Sequence, residues 1–299
     1  MKILVTGGTG LVGSHFVENY SADPESDFTI LSPGKNDFDI TDQKSVENFF
    51  QLNKPDAIVH FAAFTDVSAA EKERDNKNGA CWIINVEGTT NLIKTVGEQP
   101  YFIYISTDVV FSGRKEDPGP YAEDHLTESD PNFLSWYGWT KKEAEKLIAN
   151  NLENSAILRI ANPVRAAYGD KLDYVRKILQ LYDTDKLYPM FDDQYLTLTY
   201  INEVTEALKV LLGKRLSGIY HVSSTNVFTP YKLANLLIEK TRGKKGFIKP
   251  ISLESFLKKN PSRYPQYGGL KVEKTQIALN LKFRNWEEVV EILSKQLSV

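Results

Sequence analysis

The sequence predicts an α/β protein with a doubly wound parallel sheet and a smaller lobe interleaved with it. Three observations indicate this class. Short apolar runs alternate with amphipathic stretches through the first 160 residues, as right-handed strand–helix–strand crossovers require. A glycine-rich turn joins the first strand to the first helix. After residue 160 the alternation fades, with no linker to separate the two halves.

The first strand and the turn after it occupy Lys2–Ser14, with the sequence KILVTGGTGLVGS. An apolar run opens this stretch, and Gly7, Gly10 and Gly13 recur at three-residue spacing before a helix predicted from about residue 10 to about residue 20. Glycines let the backbone turn sharply and approach a pyrophosphate, and a helix N-terminus offers free N–H groups to it. The stretch therefore predicts a Rossmann-type dinucleotide site.

Apolar runs predict the next strands of the first half, in order, at 28–31, within 56–63, at 101–106 and at 156–160. The stretch 56–63 includes the turn that follows its strand. Amphipathic stretches predict the helices at 42–52, 69–97 and 134–150. Thr41 or Asp42 is the predicted cap of the first of these helices, and Asn78-Gly79 predicts a break in the second. Residues 112–131 are rich in Gly, Pro, Asp and Glu, which predicts a loop.

The second half has weaker periodicity. It predicts strands at 195–200 and 218–222 and helices at 171–182, 202–212, 229–240 and 286–297. Thr229 and Pro230 are the predicted cap and first residue of their helix. We therefore expect a dinucleotide-binding domain of residues 1–160, with returning segments near 195–225, and a substrate-binding lobe formed mainly by 161–299.

Composition narrows the classes of function. Net charge is −3 and basic residues are scattered, so we expect no nucleic-acid partner and no anionic membrane partner. No apolar run reaches the roughly 18 residues of a membrane span. Cys81 is the single cysteine, which fits a cytoplasmic protein. The four histidines are far apart in sequence, so we predict no metal site.

A second constellation is Tyr137 and Lys141, which lie on one helical face because they are four residues apart. A free tyrosine has a pKa of about 10, and a nearby ammonium lowers it. The pair therefore suits general acid–base chemistry on a carbonyl or alcohol. Thr107 should end the fourth strand, where its hydroxyl can reach the reacting oxygen. Taken alone, Tyr-x-x-x-Lys is also a common surface pattern, and Thr107 could be a turn residue.

Together these motifs resemble the extended short-chain dehydrogenase/reductases, and within them the dTDP-4-dehydrorhamnose reductases and their nucleotide-sugar relatives. The resemblance covers nearly the whole chain. Besides the glycine turn, it rests on Asp39–Asp42, Ala62-Ala63, Asn85 in INVEG, Ser106–Gly113 (STDVVFSG), Glu123-Asp124 and Tyr137-x-x-x-Lys141.

The resemblance implies a reductase of a nucleotide-linked 4-keto-6-deoxy sugar that uses NAD(P)H, and it allows a homodimer. The implied catalytic residues are Thr107, Tyr137 and Lys141, with Lys141 lowering the pKa of Tyr137. The implied cofactor-binding residues are Gly7, Gly10, Leu11, Val12, Gly13, Asp39, Ile40, Ala62, Ala63, Thr65, Tyr137 and Lys141. The implied substrate-binding residues are Thr107, Asp108 and Asn162.

The second half departs from the family pattern. The segment Asp193–Thr199 lacks the family's Gly and Pro, and Tyr264–Gly268 lacks its Arg and Asn. Arg263 is one position away from the missing arginine and is a candidate to replace it. The run that contains Asn162 is closer to the sugar-nucleotide epimerases. Two alternatives therefore stay open: an epimerase with tightly held NAD, and a non-catalytic nucleotide-binding regulatory subunit.

The cofactor type is predicted from the end of the second strand. Dinucleotide-binding folds that prefer NAD carry an acidic residue there to bind the ribose. Here Ser32 stands at the strand end and Lys35 follows, which favours NADP(H) over NAD(H). Asp37 is the residue that could still bind a ribose hydroxyl.

Overall fold

The computed structural model describes residues 1–21, 27–97, 100–169, 171–246, 248–259 and 264–297. The chain divides into two compact units. The first consists of Met1–Val110, Thr127–Arg159 and Leu208–Tyr220, and the second of Phe111–Leu126, Ile160–Ala207 and His221–Val299. Residues 112–126 of the loop predicted over 112–131 thus belong to the second unit.

A six-stranded sheet organises the first unit. Its strands are β1 (Lys2–Thr6), β2 (Thr29–Leu31), β3 (Ala57–His60), β4 (Tyr101–Thr107), β5 (Ser155–Ile160) and β9 (Gly218–Val222). The spatial order is β2-β1-β3-β4-β5-β9, and the pairs β1–β2, β1–β3 and β3–β4 run parallel. This confirms the predicted doubly wound parallel sheet. Because β1 has β2 on one side and β3 on the other, a ligand crevice is expected outside the carboxyl ends of β1 and β3.

The helices of this unit are α1 (Leu11–Ser21), α2 (Gln43–Asn53), α3 (Val67–Lys72), α4 (Ala80–Trp82), α5 (Gly88–Val96) and α6 (Trp136–Asn151). Asp42 caps α2 as predicted, since its side chain accepts from the Lys44 N–H at 3.0 Å. The helical stretch predicted over 69–97 is interrupted, as the predicted break at Asn78-Gly79 indicated, but the interruption is wider than that break. The chain leaves α3 at Lys72 and resumes at Ala80, because Glu73 accepts the Cys81 N–H at 3.0 Å and extended Gly79 precedes α4.

The core of the first unit forms where the strands meet the helices. Leu4, Ile58 and Phe102 from three adjacent strands pack with Leu92 of α5 and Ile148 of α6. All five are fully buried. Burial of large apolar side chains contributes about 1.5–3 kcal/mol each relative to exposure, so this contact fixes the helices against the sheet.

A buried ion pair joins β5 to α6 in the same unit. Arg159 donates through Nε to Glu145 Oε1 at 2.9 Å and through Nη2 to Oε2 at 2.6 Å. Buried charges are tolerated only when they are paired with good geometry. The pair therefore holds α6 in a defined position relative to the sheet.

The second unit has two short parallel ladders, β6 (Pro163–Val164) with β8 (Thr199–Tyr200) and β7 (Met190–Phe191) with β10 (Pro250–Ile251). Its helices include α7 (Tyr174–Asp183), α9 (Pro230–Arg242), α10 (Leu253–Lys259), α11 (Glu273–Leu279) and α12 (Trp286–Leu297), and α8 (Ile201–Lys214) begins in it. Phe228, Leu237 and Val290 lie in its core. Thr229 caps α9, as predicted.

The strand predicted over 195–200 is reduced to β8. Tyr195 and Leu196 instead make isolated bridges to two different segments, at Tyr267 and Phe228. A continuous strand needs one partner along its length. Tyr195 and Leu196 bridge to two different segments, so no single ladder forms here.

Candidate active site

The glycine turn after β1 is held by close backbone contacts. Gly7 has φ +68°, and a Cβ there would lie 2.5 Å from the backbone N of Ala62, just beyond β3. A Cβ on Gly13 would lie 2.4 Å from the Gly7 carbonyl oxygen. Both positions therefore need glycine for the fold of the turn itself.

Gly10 differs from the other two glycines. A Cβ there would meet a single neighbour, the Gly7 carbonyl oxygen at 3.2 Å, so the protein leaves this side of the turn open. The first turn of α1 contains no acidic residue, and the positive end of the helix is therefore available to an anion. Gly10 and the first residues of α1, Leu11 and Val12, fit a dinucleotide pyrophosphate.

The segment after β3 adjoins this turn. The Ala62 N–H donates to Thr6 Oγ1 at 3.2 Å, which ties the end of β3 to the end of β1. Ala62 and Ala63 are half-buried, and Thr65 is exposed. The structure thus brings these residues to the carboxyl edge of the sheet, where their role towards a cofactor stays a prediction.

Asp39 and Ile40 lie on the loop that leads to α2. Asp39 Oδ1 accepts from the N–H and the hydroxyl of Thr41, at 2.9 and 2.8 Å. The Ile40 side chain is buried, and its Cδ1 would lie 2.8 Å from a Cβ on Gly88. The Ile40 side chain therefore belongs to the core, which leaves the backbone of this loop for any cofactor contact.

Thr107 and Asp108 form the turn at the carboxyl end of β4. Both are buried, and the Thr107 hydroxyl donates to Asp108 Oδ1 at 3.2 Å. The Val109 N–H donates to Thr107 Oγ1 at 3.3 Å. Burial raises the pKa of Asp108 to about 6, and the hydrogen bond from Thr107 opposes that rise. The turn thus presents a hydroxyl and a carboxyl of raised pKa at the sheet edge.

The first turn of α6 packs directly on this strand-end turn. A Cβ on Gly138 would lie 2.1 Å from the Val109 carbonyl oxygen, so only glycine permits the contact. The hydroxyl of the neighbouring Tyr137 interacts with Thr107. The structure therefore places the helical turn that carries Tyr137 against the strand end that carries Thr107, and their catalytic roles stay a prediction.

Lys141 lies one helical turn after Tyr137 and is 2% exposed. Its Nζ donates to the Ile105 carbonyl oxygen at 2.7 Å and lies 3.9 Å from the ring centroid of Tyr104. Burial lowers the pKa of Lys141 to about 7, while Glu145 raises it. The ammonium is thus held at the end of β4 at a cost in solvation.

The prediction that Lys141 lowers the pKa of Tyr137 is wrong for this structure. Burial raises the pKa of Tyr137, Asp108 raises it further, and Thr107 opposes the rise. The Lys141 ammonium is directed to the Ile105 carbonyl and the Tyr104 ring. The Tyr137 phenol is therefore protonated at neutral pH, so it carries the proton that a general acid must donate.

The lowered pKa of Lys141 predicts a pH-dependent stability difference between the wild type and Lys141→Met. An unfolded lysine titrates near pH 10.4, so between about pH 7 and about pH 10 the folded state holds fewer protons than the unfolded state. Stability of the wild type then rises with pH in this window, whereas the variant lacks the group. From about pH 7 to about pH 10, the free energy of unfolding of the wild type should therefore increase relative to that of the variant, by on the order of a few kcal/mol.

Urea unfolding of both proteins near pH 7 and near pH 10 measures this difference. Other titrating groups are common to the two proteins and cancel. A difference that stays constant between the two pH values would contradict the burial of a charged Lys141.

Asn85 connects the segment after β3 to α6. It was part of the family resemblance, but it was not predicted as a site residue. Its Oδ1 accepts the Phe64 N–H at 2.7 Å, and its Nδ2 donates to Thr140 Oγ1 at 2.9 Å. The Thr140 hydroxyl in turn donates to the Tyr137 carbonyl oxygen at 2.8 Å. Asn85 lies in a wide π-helical turn, Ile83–Glu87, a feature often found at functional sites. A polar amide inside an apolar helical run was the available signal.

Asn162 lies in the second unit. It has φ +44°, in the left-handed region that asparagine tolerates, and its Nδ2 donates to the Thr197 carbonyl oxygen at 3.0 Å. The structure therefore assigns its side chain a contact within this unit. Its role towards a substrate stays a prediction.

The two departures from the family pattern meet in the second unit. Tyr195 and Tyr267 form a bridge, and their rings stack with centroids 5.8 Å apart at 12°. The Tyr195 N–H also donates to the Gln266 carbonyl oxygen at 2.7 Å. The two segments that depart from the family pattern therefore contact each other through backbone and ring. Arg263 lies outside the described residues.

Metal-ligand clusters and membrane-spanning helices are absent from the described part of the chain. Among these residues no group of three or more His, Cys, Asp or Glu side chains could hold a metal ion. Within the same residues, every helix is too short or too polar to cross a membrane.

Comparison with known proteins identifies relatives over nearly the full length of the chain. The spore coat polysaccharide biosynthesis protein SpsK of Bacillus subtilis (strain 168) is 31% identical over 293 residues, which are 97% of this chain and 95% of that protein. Methionine adenosyltransferase 2 subunit beta of Xenopus tropicalis is 30% identical over 302 residues, covering 95% of this chain and 85% of its own.

A solved structure is similar over the same length. The dTDP-4-dehydrorhamnose reductase of Bacillus anthracis, in complex with NADP, has a TM-score of 0.82 and 26% identity, and the match covers 98% of each chain. The family model for the RmlD substrate binding domain matches residues 1–299. The chain therefore belongs to the RmlD substrate binding domain family, as its resemblance to the nucleotide-sugar reductases among the extended short-chain dehydrogenase/reductases predicted.

Proposed function

We propose that this protein reduces the 4-keto group of a nucleotide-linked 6-deoxy sugar with NAD(P)H. The observation that carries the proposal is the close packing of the first turn of α6, which contains Tyr137, on the Thr107 turn at the carboxyl end of β4, with buried Lys141 one helical turn away. This constellation shares the carboxyl edge of the sheet with the glycine turn after β1. Similarity to the B. anthracis reductase supports the same reaction class.

The protein side of the reaction follows from these three residues. A bound nicotinamide cofactor supplies the hydride that the carbonyl carbon receives. Tyr137 is protonated at neutral pH and donates its phenolic proton to the carbonyl oxygen as that oxygen becomes basic. The Thr107 hydroxyl donates a hydrogen bond to the same oxygen and so polarises the carbonyl. Lys141 would hold the nicotinamide ribose, and the open side of Gly10 would hold the pyrophosphate.

The test is a reduction assay on the purified protein. NADPH or NADH is mixed with a panel of 4-keto-6-deoxy sugars linked to dTDP, UDP, GDP or CDP, and cofactor oxidation is followed by absorbance. We expect oxidation with at least one sugar and the 4-hydroxy sugar as product. No oxidation with any member of the panel would contradict the proposal.

Two alternatives to a reductase predict different results in this assay. The 30% identity to a methionine adenosyltransferase subunit favours a regulatory partner as the second candidate, which predicts nucleotide binding without turnover. An epimerase would retain NAD through purification and leave it unchanged after many turnovers. The same assay, with the cofactor content of the purified protein measured first, distinguishes all three.

We expect NADPH to be preferred over NADH because of Ser32. This residue follows β2, is exposed, and lies beside the glycine turn, since a Cβ on Gly8 would be 2.0 Å from Ser32 Oγ. A carboxylate at this place would accept ribose hydroxyls and repel a 2′-phosphate. Ser32→Asp should therefore lower kcat/KM for NADPH by about tenfold or more, corresponding to about 1.4 kcal/mol.

Steady-state kinetics with both cofactors measure this shift, and Ser217→Asp, at another exposed serine, is the charge-matched control. A wild-type preference for NADH would contradict the prediction and favour Asp37 as the ribose ligand.

A further inference from the structure

Two residues outside the predicted site hold the backbone that leads to Tyr137. Glu71 lies in α3, and Arg74 follows the end of that helix. Arg74 donates through Nε to Glu71 Oε1 at 2.7 Å and through Nη2 to Oε2 at 3.1 Å. The exposed fractions of the two side chains are 17% for Arg74 and 35% for Glu71. A two-pronged, partly buried pair of this kind holds its geometry better than a single surface contact.

The pair closes a ring of hydrogen bonds around the start of α6. Glu71 Oε2 accepts from the backbone N–H of Trp136 at 2.9 Å. Arg74 donates through Nη2 to the Leu134 carbonyl oxygen at 2.6 Å and through Nη1 to the Pro131 carbonyl oxygen at 3.3 Å. Side chains from about 60 residues earlier in the chain thus fix the backbone on both sides of the helix start.

The charge of Glu71 matters at this place. Trp136 is the first helical residue of α6, so its N–H has no partner within the helix. Ser135 caps the helix by accepting the Gly138 N–H at 3.1 Å, and Glu71 satisfies Trp136. A carboxylate is favoured at the positive end of a helix. Neutralising Glu71 therefore weakens both its bond to α6 and its pairing with Arg74.

We propose that Glu71 and Arg74 are positioning residues of the reaction, which place the Tyr137 hydroxyl beside Thr107 by fixing the first turn of α6. The proposal rests on the proposed function. Tyr137 follows Trp136 directly, so a shift at the Trp136 amide moves the phenol. A misplacement of about 1 Å can cost on the order of 10²-fold in rate. The glycine turn does not depend on this ring of bonds, so cofactor binding should be affected less than turnover.

The experiment compares Glu71→Gln with Asp183→Asn. The control breaks a similar two-pronged pair, in which Arg242 donates to Asp183 at 2.8 and 2.7 Å in the second unit. Each protein is assayed for reduction and is also prepared with tyrosine isotopically labelled at the phenol carbon. Loss of a signal in Tyr137→Phe assigns the Tyr137 resonance.

We expect Glu71→Gln to lower kcat by about 10- to 100-fold with little change in KM for NADPH, and to shift the Tyr137 resonance. The control should do neither.

Wild-type kcat in Glu71→Gln would overturn the proposal, and so would a lower kcat with an unmoved Tyr137 resonance, because the effect would then not act through Tyr137. Where Glu71→Gln does not fold, Arg74→Gln opens the same ring from its other side and gives the same two readouts. If the wild type reduces no sugar in the panel, the proposed function fails, and the resonance alone decides whether Glu71 places Tyr137.

Discussion

Tyr137→Phe is expected to lower the rate of sugar reduction by about 10²–10⁴-fold, the usual contribution of a positioned general acid. The variant loses one hydroxyl, which donates the proton and interacts with Thr107. Its ring can keep the packing of the wild type against the cluster that includes Trp136. Stopped-flow or steady-state assays with saturating cofactor measure the loss, and cofactor titration should give an affinity close to the wild type.

Tyr231→Phe is the matched control for this variant. Tyr231 is also half-buried and is also the second residue of its helix, α9. It should leave the rate unchanged. Near-wild-type turnover in Tyr137→Phe would remove Tyr137 from the catalytic set, whatever the glycine turn binds.

Thr107→Val should slow the same reaction less than Tyr137→Phe does. The expected loss of transition-state stabilisation is about 1.5–3 kcal/mol, for one hydrogen bond to a charged oxygen.

The sheet and the glycine turn could be predicted because their signals are local. Apolar runs, glycine spacing and caps such as Asp42 and Thr229 act over a few residues, and the structure has each of them in place. The break between α3 and α4 was marked by Asn78-Gly79, but its extent depends on Glu73, whose carboxylate accepts the Cys81 N–H across eight residues.

The parts that sequence could not supply depend on contacts between distant residues. The pair Tyr137 and Lys141 is visible as a spacing, yet the direction of the Tyr137 pKa follows from burial and from Asp108. The hydrogen bond between Glu71 and Trp136 joins residues 65 apart in sequence, so no local sequence pattern predicts it. The ladders of the second unit are two residues long, too short to produce a strand pattern.

Gly10→Val is expected to weaken dinucleotide binding by on the order of 100-fold or more while the fold is retained. The reason lies in the contrast among the glycines of the turn. A Cβ on Gly7 or Gly13 would strike backbone atoms at 2.5 and 2.4 Å, whereas at Gly10 it would meet only the Gly7 carbonyl oxygen at 3.2 Å. A side chain on Gly10 therefore fills space that the protein itself leaves empty, where a pyrophosphate approaches a glycine turn closely. When the side chain displaces the pyrophosphate, the charge-assisted contacts between the pyrophosphate and the helix N-terminus are lost, and each of these contributes about 1.5–3 kcal/mol.

Fluorescence titration of NADPH and NADH measures the affinities, and thermal unfolding checks the fold. Gly213→Val, at a helical glycine of α8 with open space around it, is the control for adding a branched side chain and should bind as the wild type does. Gly13→Val separates the two kinds of glycine, because it should lower the unfolding temperature as well as the affinity. Unchanged affinity for both cofactors in Gly10→Val, with the fold intact, would show that the open side of Gly10 faces solvent rather than a dinucleotide, and the assignment of this turn as the cofactor site would then be wrong.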